Sequence, residues 1–308
     1  MKTIMNTILS TCAITFISLN VIGQVDPSYR NNQFNILMLN PAQAGANAYD
    51  DVSVLASKSM VGFTGAPRTV TASGSFRILD NVGLGLTAIN DQLGPMVTTG
   101  GAINLAYHLK LDGQWRLAVG IKASISMLTV DLPSLTTTTH YDPHMEAVLS
   151  SGLQAGTGWG ALLYSKSSYF GIAQPNILKR GFQNVNMGDY VNTLGIVAYT
   201  GTTLRINNDY SFRPSMVVRY VKSYPLYTNM NAMFTYRSKF DFGVNYELGS
   251  SLGLTTGFEV NKKLYFGYSY NIPTSSVNRI SMQAHELVLR LKLNNQYGMS
   301  FQGPRFFN

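Results

Sequence analysis

Hydrophobic and polar residues alternate with a period of two along most of the chain, which is the pattern typical of β-strands with two different faces. In residues 82–88, apolar side chains on one face alternate with glycine and threonine on the other. In residues 287–293, four leucines alternate with Val288, Arg290 and Lys292. No long segment has a convincing helical periodicity. The sequence therefore predicts an all-β fold.

About fourteen segments show this alternation, and each is close to the 9–11 residues that cross a bilayer as a tilted strand. In the sixth to eighth segments the alternation is weakest, because both faces are partly apolar. The predicted segments are 52–61, 69–77, 82–90, 97–109, 115–126, 156–165, 168–174, 191–200, 212–222, 228–237, 239–247, 251–260, 263–271 and 284–293.

Two all-β architectures compete, a soluble sandwich or propeller and a membrane barrel. Only 12% of the residues are charged, about half the usual share in soluble domains. The second face is small and polar instead of rich in Lys and Glu, and tyrosines lie near strand ends on the apolar face, as in an interfacial girdle. These tyrosines are Tyr107, Tyr220, Tyr236, Tyr246 and Tyr270. We predict a transmembrane antiparallel up-and-down β-barrel in the outer membrane.

The lengths of the connections predict which end of the barrel faces the periplasm. Short connections are expected mainly on the periplasmic side and long ones outside, with an even strand number and both chain ends in the periplasm. The connections 127–155 and 175–190 are long. Two connections break the rule, since 201–211 is long for a periplasmic turn and 248–250 is short for an outer loop. Short connections are predicted at 78–81, 110–114, 166–167, 238, 248–250 and 261–262.

The two ends of the chain are predicted to lie outside the barrel strands. Lys2 followed by the mostly apolar residues 8–22 is typical of a cleaved signal peptide, residues 1–23. Residues 24–51 are then a periplasmic N-terminal segment that faces the periplasm or plugs the lumen, 52–293 the barrel, and 294–308 a C-terminal tail. The single cysteine, Cys12, lies within the signal peptide.

Polar residues on the second face are expected in the lumen. They carry charges of both signs in a confined space, which fits a packed, salt-bridged interior or, as the alternative, a selectivity filter. The predicted lumen residues are His108, Lys122, Arg213, Arg219, Asn229, Asn231, Asp241, Asn245, Glu259, Glu286, Arg290 and Lys292.

The sequence gives only weak evidence for a metal site, an enzyme active site or a nucleic-acid-binding surface. His140, Asp142 and His144 lie close together, but without the spacing of known zinc motifs, so no metal site is predicted. Serines are numerous, but no serine nucleophile placed near a histidine base is evident, and no enzyme activity or cofactor is expected. The net charge of +8 is dispersed, which argues against nucleic-acid binding.

Several motifs together resemble the PorP/SprF family of outer-membrane proteins of the type IX secretion system in Bacteroidota. The first motif includes Asn40, Pro41 and Gly45, and Ile36 stands where the family usually has proline. The last motif is His285-Glu286, preceded by Ala284 where the family has serine. The motif in the first hairpin includes Gly62, Phe63, Gly65, Ala66 and Pro67. The resemblance covers essentially the whole chain after the signal peptide.

The resemblance implies a role in export or surface attachment of cargo with C-terminal sorting domains, including gliding adhesins in some species. It also implies periplasmic ring proteins of the secretion system as partners, besides the surrounding outer-membrane lipids. We expect cargo to contact the long loops 127–155, 175–190 and 272–283 through aromatic and basic side chains. The candidates are Tyr141, Lys179, Arg180, Phe182, Tyr190 and Arg279.

Two other functions remain open at this point. An outer-membrane porin or hydrophobic-solute channel would have an open lumen. A membrane enzyme would depend on His285 as a base.

Overall fold

The computed structural model describes residues 32–134, 148–176, 195–222, 224–274 and 283–293. Fourteen of its strands form a closed antiparallel β-barrel, and each strand pairs with its neighbours along the chain. The barrel closes where β16 pairs with β1, with Leu289 opposite Val54. The prediction of an up-and-down barrel of about fourteen strands is confirmed.

The described residues contain sixteen strands, of which β6 and β10 lie outside the closed barrel. β6 pairs only with β5, and β10 pairs only with β11. The strands are β1 Asp50–Ser59, β2 Arg68–Leu79, β3 Val82–Leu93, β4 Met96–Lys110, β5 Arg116–Asp131, β6 Val148–Ser150, β7 Gln154–Tyr164, β8 Ser168–Gln174, β9 Gly195–Thr202, β10 Leu204–Arg205, β11 Tyr210–Val221, β12 Tyr227–Tyr236, β13 Phe240–Glu247, β14 Ser251–Glu259, β15 Leu264–Pro273 and β16 Ala284–Leu293.

Helical structure in the described residues is limited to short turns. The α-helix α1 spans Ile36–Leu39, and 3-10 turns span Asn32–Phe34, Pro41–Gln43 and Leu132–Ser134. Within the described ranges, no helix is long and apolar enough to cross a membrane.

The two faces of the barrel follow the period-two pattern of the sequence. On β1, Val52 and Val54 are exposed outside, whereas Ser53 and Leu55 are buried inside. On β16, the leucines at 287, 289 and 291 are exposed, and Arg290 between them is buried. A continuous exposed apolar belt is the surface that a bilayer requires, and closure leaves no unpaired strand edge in it.

The strand ends differ from the predicted ones in two regions. β3 and β4 are joined by a turn of two residues, 94–95, and β5 continues to Asp131, so part of the predicted loop 127–155 is strand. β6 also falls in this predicted loop. The long connection 201–211 is a hairpin extension in which Leu204 pairs with Phe212. In both regions backbone pairing between neighbouring strands continues beyond the predicted segments, as between Thr98 and Leu128.

The barrel has two distinguishable ends. We call the end where β1 begins and β16 ends the terminal end; it carries the turns 80–81, 111–115, 165–167, 237–239 and 260–263 and the connection 203–209. We call the other end the loop end; it carries the connections 60–67, 94–95, 132–153, 175–194, 222–226, 248–250 and 274–283. The longest connections therefore share one end, as the sequence predicts.

The outward position of Leu289 near the middle of β16 gives a test of the membrane-facing surface. Leu289→Arg should destabilise the barrel by about 2–4 kcal/mol, because arginine is costly at the bilayer midplane. Leu293→Arg, at the terminal end of the same face, should cost only about 0–1 kcal/mol. Chemical unfolding of the barrel in lipid vesicles measures both effects. Equal effects of the two variants would contradict this membrane placement.

Candidate functional site inside the barrel

Residues 32–49 cross the interior of the barrel, and we call this segment the plug. It begins beside β15 and β16, where Phe34 packs against Tyr265 and Val288. It then crosses to β7 and β9 and returns past β5, β4 and β2 to the start of β1. The structure thus places part of the predicted N-terminal segment 24–51 inside the lumen.

Asn40 anchors the far point of this path. Its side-chain amide donates to the Ala161 carbonyl and to the Tyr199 hydroxyl, each at 3.0 Å. Its side-chain oxygen accepts from the Ala42 amide at 2.8 Å, which caps the turn Pro41–Gln43. The side-chain oxygen of Asn40 therefore stabilises the plug's own turn, and its side-chain nitrogen binds the barrel wall.

The return path is held by two barrel side chains. Arg77 donates from Nε to the Gly45 carbonyl at 2.9 Å, and its terminal Nη2 contacts the same oxygen. His108 Nε2 lies 2.8 Å from the Ala44 carbonyl, which can only accept, so this nitrogen carries the hydrogen. In the neutral ring, Nδ1 then accepts from the Tyr164 hydroxyl at 2.7 Å.

Glycines on the inner face give the plug backbone its space. A Cβ at Gly83 would lie 1.9 Å from the Ala44 carbonyl oxygen, and a Cβ at Gly120 would lie 2.3 Å from the Ala42 amide nitrogen. Both distances are far below van der Waals contact with backbone atoms. These strand glycines therefore mark a close approach of another backbone, one of the uses of glycine within strands.

Apolar packing fills the space between these polar anchors. Ile36, Ala42 and Ala46 are buried against Leu162, Tyr164, Val197 and Tyr199. Leu37 and Ala44 are buried with Ala106. The inner face of β7–β9 is thus partly apolar, which accounts for the weak alternation in the sixth to eighth predicted segments.

A charged cluster lines the other side of the lumen. Asp241 accepts from Arg213 at 2.7 Å, from Thr235 at 2.7 Å and from the Tyr265 hydroxyl at 3.0 Å. Arg290 donates to the Phe34 carbonyl of the plug at 2.8 Å and lies 3.4 Å from Asp51.

The part of this cluster formed by Lys292, Glu259 and Tyr49 lies close to the terminal end. Lys292 pairs with Glu259, and its Nζ lies 5.2 Å from the centre of the Tyr49 ring. Burial raises the pKa of the Tyr49 phenol well above its ordinary value, so this side chain stays neutral. The cluster joins the plug to the barrel through charge-assisted hydrogen bonds, which are stronger than neutral ones.

A cavity of about 190 Å³ lies on the loop-end side of the plug. We call it the vestibule. Met38 and Leu39 of the plug form part of its lining, together with the loop-end halves of β3, β4, β5, β9 and β11. Lys122, Arg219 and Asp91 also line it. The plug therefore separates the vestibule from the terminal end.

The first-hairpin motif lies at the rim of the loop end. Gly65 O accepts from the Gly94 amide at 3.0 Å, which ties the β1–β2 connection to the turn that follows β3. Pro67 O accepts from the Ser59 amide at 3.0 Å. Gly62, Phe63 and Ala66 belong to the same connection, and the Phe63 side chain is about half exposed. The motif thus shapes the rim and presents one aromatic side chain.

The structure places the predicted lumen residues on the inner face. Lys122 and Arg219 line the vestibule, whereas the others are buried or partly buried in polar clusters of the inner face. His285 and Glu286 point to opposite faces of β16: Glu286 is buried inside, and His285 lies outside with Nδ1 2.7 Å from the Tyr268 hydroxyl. The six cargo candidates and the pair His140 and His144 lie outside the described residues.

Several plug contacts were missed in the sequence. Arg77 and Asp51 belong to the predicted strands or their edges, and their inward parity with Ser73, Ser75 and Ser53 could have revealed them. Tyr164, Tyr199 and Tyr265 look like membrane-facing aromatics, because an apolar inner face was not expected. The partly apolar character of both faces in β7–β9 was the available signal.

Taken together, the closed barrel, the outward apolar belt and the polar interior define an outer-membrane β-barrel protein whose lumen is occupied by its own N-terminal segment. The family model for the type IX secretion system membrane protein PorP/SprF matches residues 21–291. The chain belongs to this family. It is thus a membrane component of the type IX secretion system.

Solved structures with similar barrels include a toluene transporter, TbuX, of Ralstonia pickettii, at 10% identity and TM-score 0.47, covering 84% of this chain and 93% of that one. The CymD monoaromatic hydrocarbon channel is 12% identical with TM-score 0.48, covering 90% and 96%. A FadL homologue of Pseudomonas aeruginosa is 10% identical with TM-score 0.47, covering 88% and 95%. Similarity of this size carries no information on transport by this chain. A comparison with curated proteins found no match.

Gly83→Ala tests how the plug is seated. The added methyl group cannot share space with the Ala44 carbonyl, so the plug should detach locally, and backbone amides of residues 36–46 should exchange hydrogen faster. Gly101→Ala is the matched control, because its Cβ would meet the nearest atom, Thr87 O, at an ordinary 3.5 Å. Hydrogen exchange measured by mass spectrometry in detergent compares the two. Unchanged exchange in Gly83→Ala would contradict the described seating.

Proposed function

We propose that this barrel supports export or surface attachment of cargo with C-terminal sorting domains, and that it does so as a closed scaffold and not as the conduit. The observation that carries the proposal is the plug, which joins opposite walls of the barrel through Asn40, Arg77 and Arg290. A lumen crossed in this way is suited to holding other proteins at its two ends. Family membership supplies the secretion context.

The orientation follows from the two ends. We assign the terminal end to the periplasm, where the ring proteins of the secretion system are expected partners, and the loop end to the cell exterior. The plug enters β1 at the terminal end, so a partner there could reach residues preceding the barrel. The predicted signal peptide agrees with a periplasmic start of the mature chain.

Cargo contact is assigned to the loop end. The connections that contain the six predicted contact residues begin and end at the loop end. These residues are Tyr141, Lys179, Arg180, Phe182, Tyr190 and Arg279. Exposed Phe63 adds an aromatic side chain on the rim. Aromatic and arginine side chains of this kind are the usual anchors of protein interfaces. Gliding adhesins are one class of cargo that fits this assignment.

The alternative function, a porin or hydrophobic-solute channel, requires a passage through the lumen. In the described residues the passage is crossed by the plug, whose apolar and polar contacts reach both walls. Solute transport would therefore need the plug to leave. An enzyme centred on His285 finds no support in the geometry, since this side chain lies on the membrane-facing surface beside Tyr268.

Replacement of the connection between β8 and β9 tests the cargo assignment. Exchanging residues 177–190 for a Gly/Ser segment of equal length removes Lys179, Arg180, Phe182 and Tyr190 but leaves both strands intact. We expect the barrel to reach the outer membrane in normal amount while proteins with sorting domains are lost from the cell surface. Quantitative proteomics of the surface and the medium in the native host measures this loss.

The control variant is Leu248→Ala/Ser250→Ala in the short turn at the same end, which should keep cargo at the wild-type level. A strain lacking the gene gives the full effect for comparison. If the Gly/Ser variant retains cargo as the wild type does while the strain without the gene loses it, this loop is not the contact. If the strain without the gene also keeps all such cargo, the secretion role itself is wrong.

A further inference from the structure

The outer face of the barrel carries one row of basic side chains. Lys58 lies directly opposite Arg68 on β2 and directly opposite His285 on β16. Directly paired residues of antiparallel strands share a face. Lys58 and Arg68 are exposed and His285 is half-buried. The three residues therefore form a continuous outward-facing row across three adjacent strands, which we call the basic row.

No other part of the described outer face carries a similar cluster of basic side chains. At outward-facing positions of its fourteen described strands, Lys58 and Arg68 are the sole Lys or Arg residues and His285 the sole His. The other Lys and Arg residues of the described barrel strands, such as Arg213 and Arg290, lie at inward-facing positions. The three lie on adjacent strands and directly opposite one another, so they form one cluster.

The row lies at the edge of the apolar belt on the loop-end side. On β1, the outward positions Val52 and Val54 precede Lys58 along the strand, with Ala56 between. On β16, the outward leucines begin at Leu287, directly after His285 in the outward series. Basic side chains at this depth meet lipid headgroups, where they are tolerated far better than at the midplane.

Within the described residues of β1, β2 and β16, no acidic side chain lies beside the row on the outer face. The outward carboxylate on these strands, Asp50, lies at the other end of β1, where it accepts from the Arg77 amide. Arg68 donates to Gln92 Oε1 at 3.2 Å, which positions the guanidinium without neutralising it. Like charges placed directly opposite each other destabilise a sheet. An anion between Lys58 and Arg68 removes that repulsion.

Aromatic side chains extend the row on β15. Tyr270 lies directly opposite His285, and their ring centres are 5.1 Å apart. Tyr268 lies on the same face and holds His285 Nδ1 through its hydroxyl at 2.7 Å. The imidazole is thereby fixed with Nε2 directed away from this bond. Tyrosines at this level are the usual residues of the interface between bilayer and water.

We propose that the basic row is a binding site for the phosphate group of an anionic lipid in the leaflet that borders the loop end. Neighbouring strands are about 4.8 Å apart, so the row spans roughly 10 Å, a width that one phosphate group can bridge. Arg68 supplies planar paired N–H groups, and Lys58 supplies a mobile ammonium. The acyl chains of the lipid lie along Val54, Val70 and Leu287 below the row.

The site is tested with purified full-length protein in a neutral detergent by native mass spectrometry. The probe is a monophosphorylated lipid A, compared with the same glycolipid lacking its phosphate. We expect the wild type to bind the phosphorylated probe at least tenfold more tightly. In Lys58→Gln/Arg68→Gln this preference should disappear, whereas Lys262→Gln/Lys263→Gln, which removes two exposed charges at the terminal end, should keep it.

The charge-conserving variant Lys58→Arg/Arg68→Lys should retain the preference, and it remains informative if the glutamine variant folds poorly. Equal binding of both glycolipids by the wild type would overturn the proposal. So would loss of the preference in the terminal-end control, since that result would mean general attraction to a basic protein. Displacement of the lipid by inorganic phosphate at equal concentration would also overturn it, because a free anion would then be the ligand.

Discussion

The structure depends on satisfying the polar backbone of a chain segment that is buried inside a barrel. Buried amides and carbonyls need hydrogen-bond partners, and an irregular segment cannot supply all of them itself. The inner wall provides them at defined points: Arg77 and His108 bond the carbonyls of Gly45 and Ala44, and Arg290 bonds that of Phe34. In the other direction, Asn40 of the plug bonds the Ala161 carbonyl of the wall. Each wall residue carries a polar group that would otherwise face a hollow lumen. The plug and the wall therefore need each other.

This mutual dependence explains features of the strands that a barrel with a hollow lumen would not need. Gly83 and Gly120 interrupt the inner face because the plug backbone passes within contact of them. The inner residues of β7 and β9 are apolar where Ile36 and Ala42 of the plug pack against them. The Asn-Pro-Ala-Gln-Ala-Gly motif at 40–45 is thus a part of the chain whose geometry the wall fixes at several points.

The period-two pattern predicted the barrel, its strand number and the positions of nearly all strands. It could do so because lipid-facing and inward-facing residues alternate in segments such as 287–293. The inward placement of residues such as Asp241 and Arg290 follows from the same parity. The contacts of the plug could not be predicted, since they join positions as distant as Asn40 and Tyr199 and leave only indirect traces: glycines, and an inner face that is less polar than expected. His285 shows the limit of motif reading, because its neighbour Glu286 faces the lumen while His285 itself faces the membrane.

The central claim is that the barrel is closed by its own N-terminal segment and acts as a scaffold of the secretion system. Electrical recording in planar lipid bilayers tests this most directly, with the wild-type protein compared with a variant in which residues 33–46 are replaced by a flexible Gly/Ser segment. The account predicts no stable conductance steps for the wild type and clear steps for the variant. Stable conductance of the wild-type protein, equal to that of the variant, would contradict it and make a solute channel the better account.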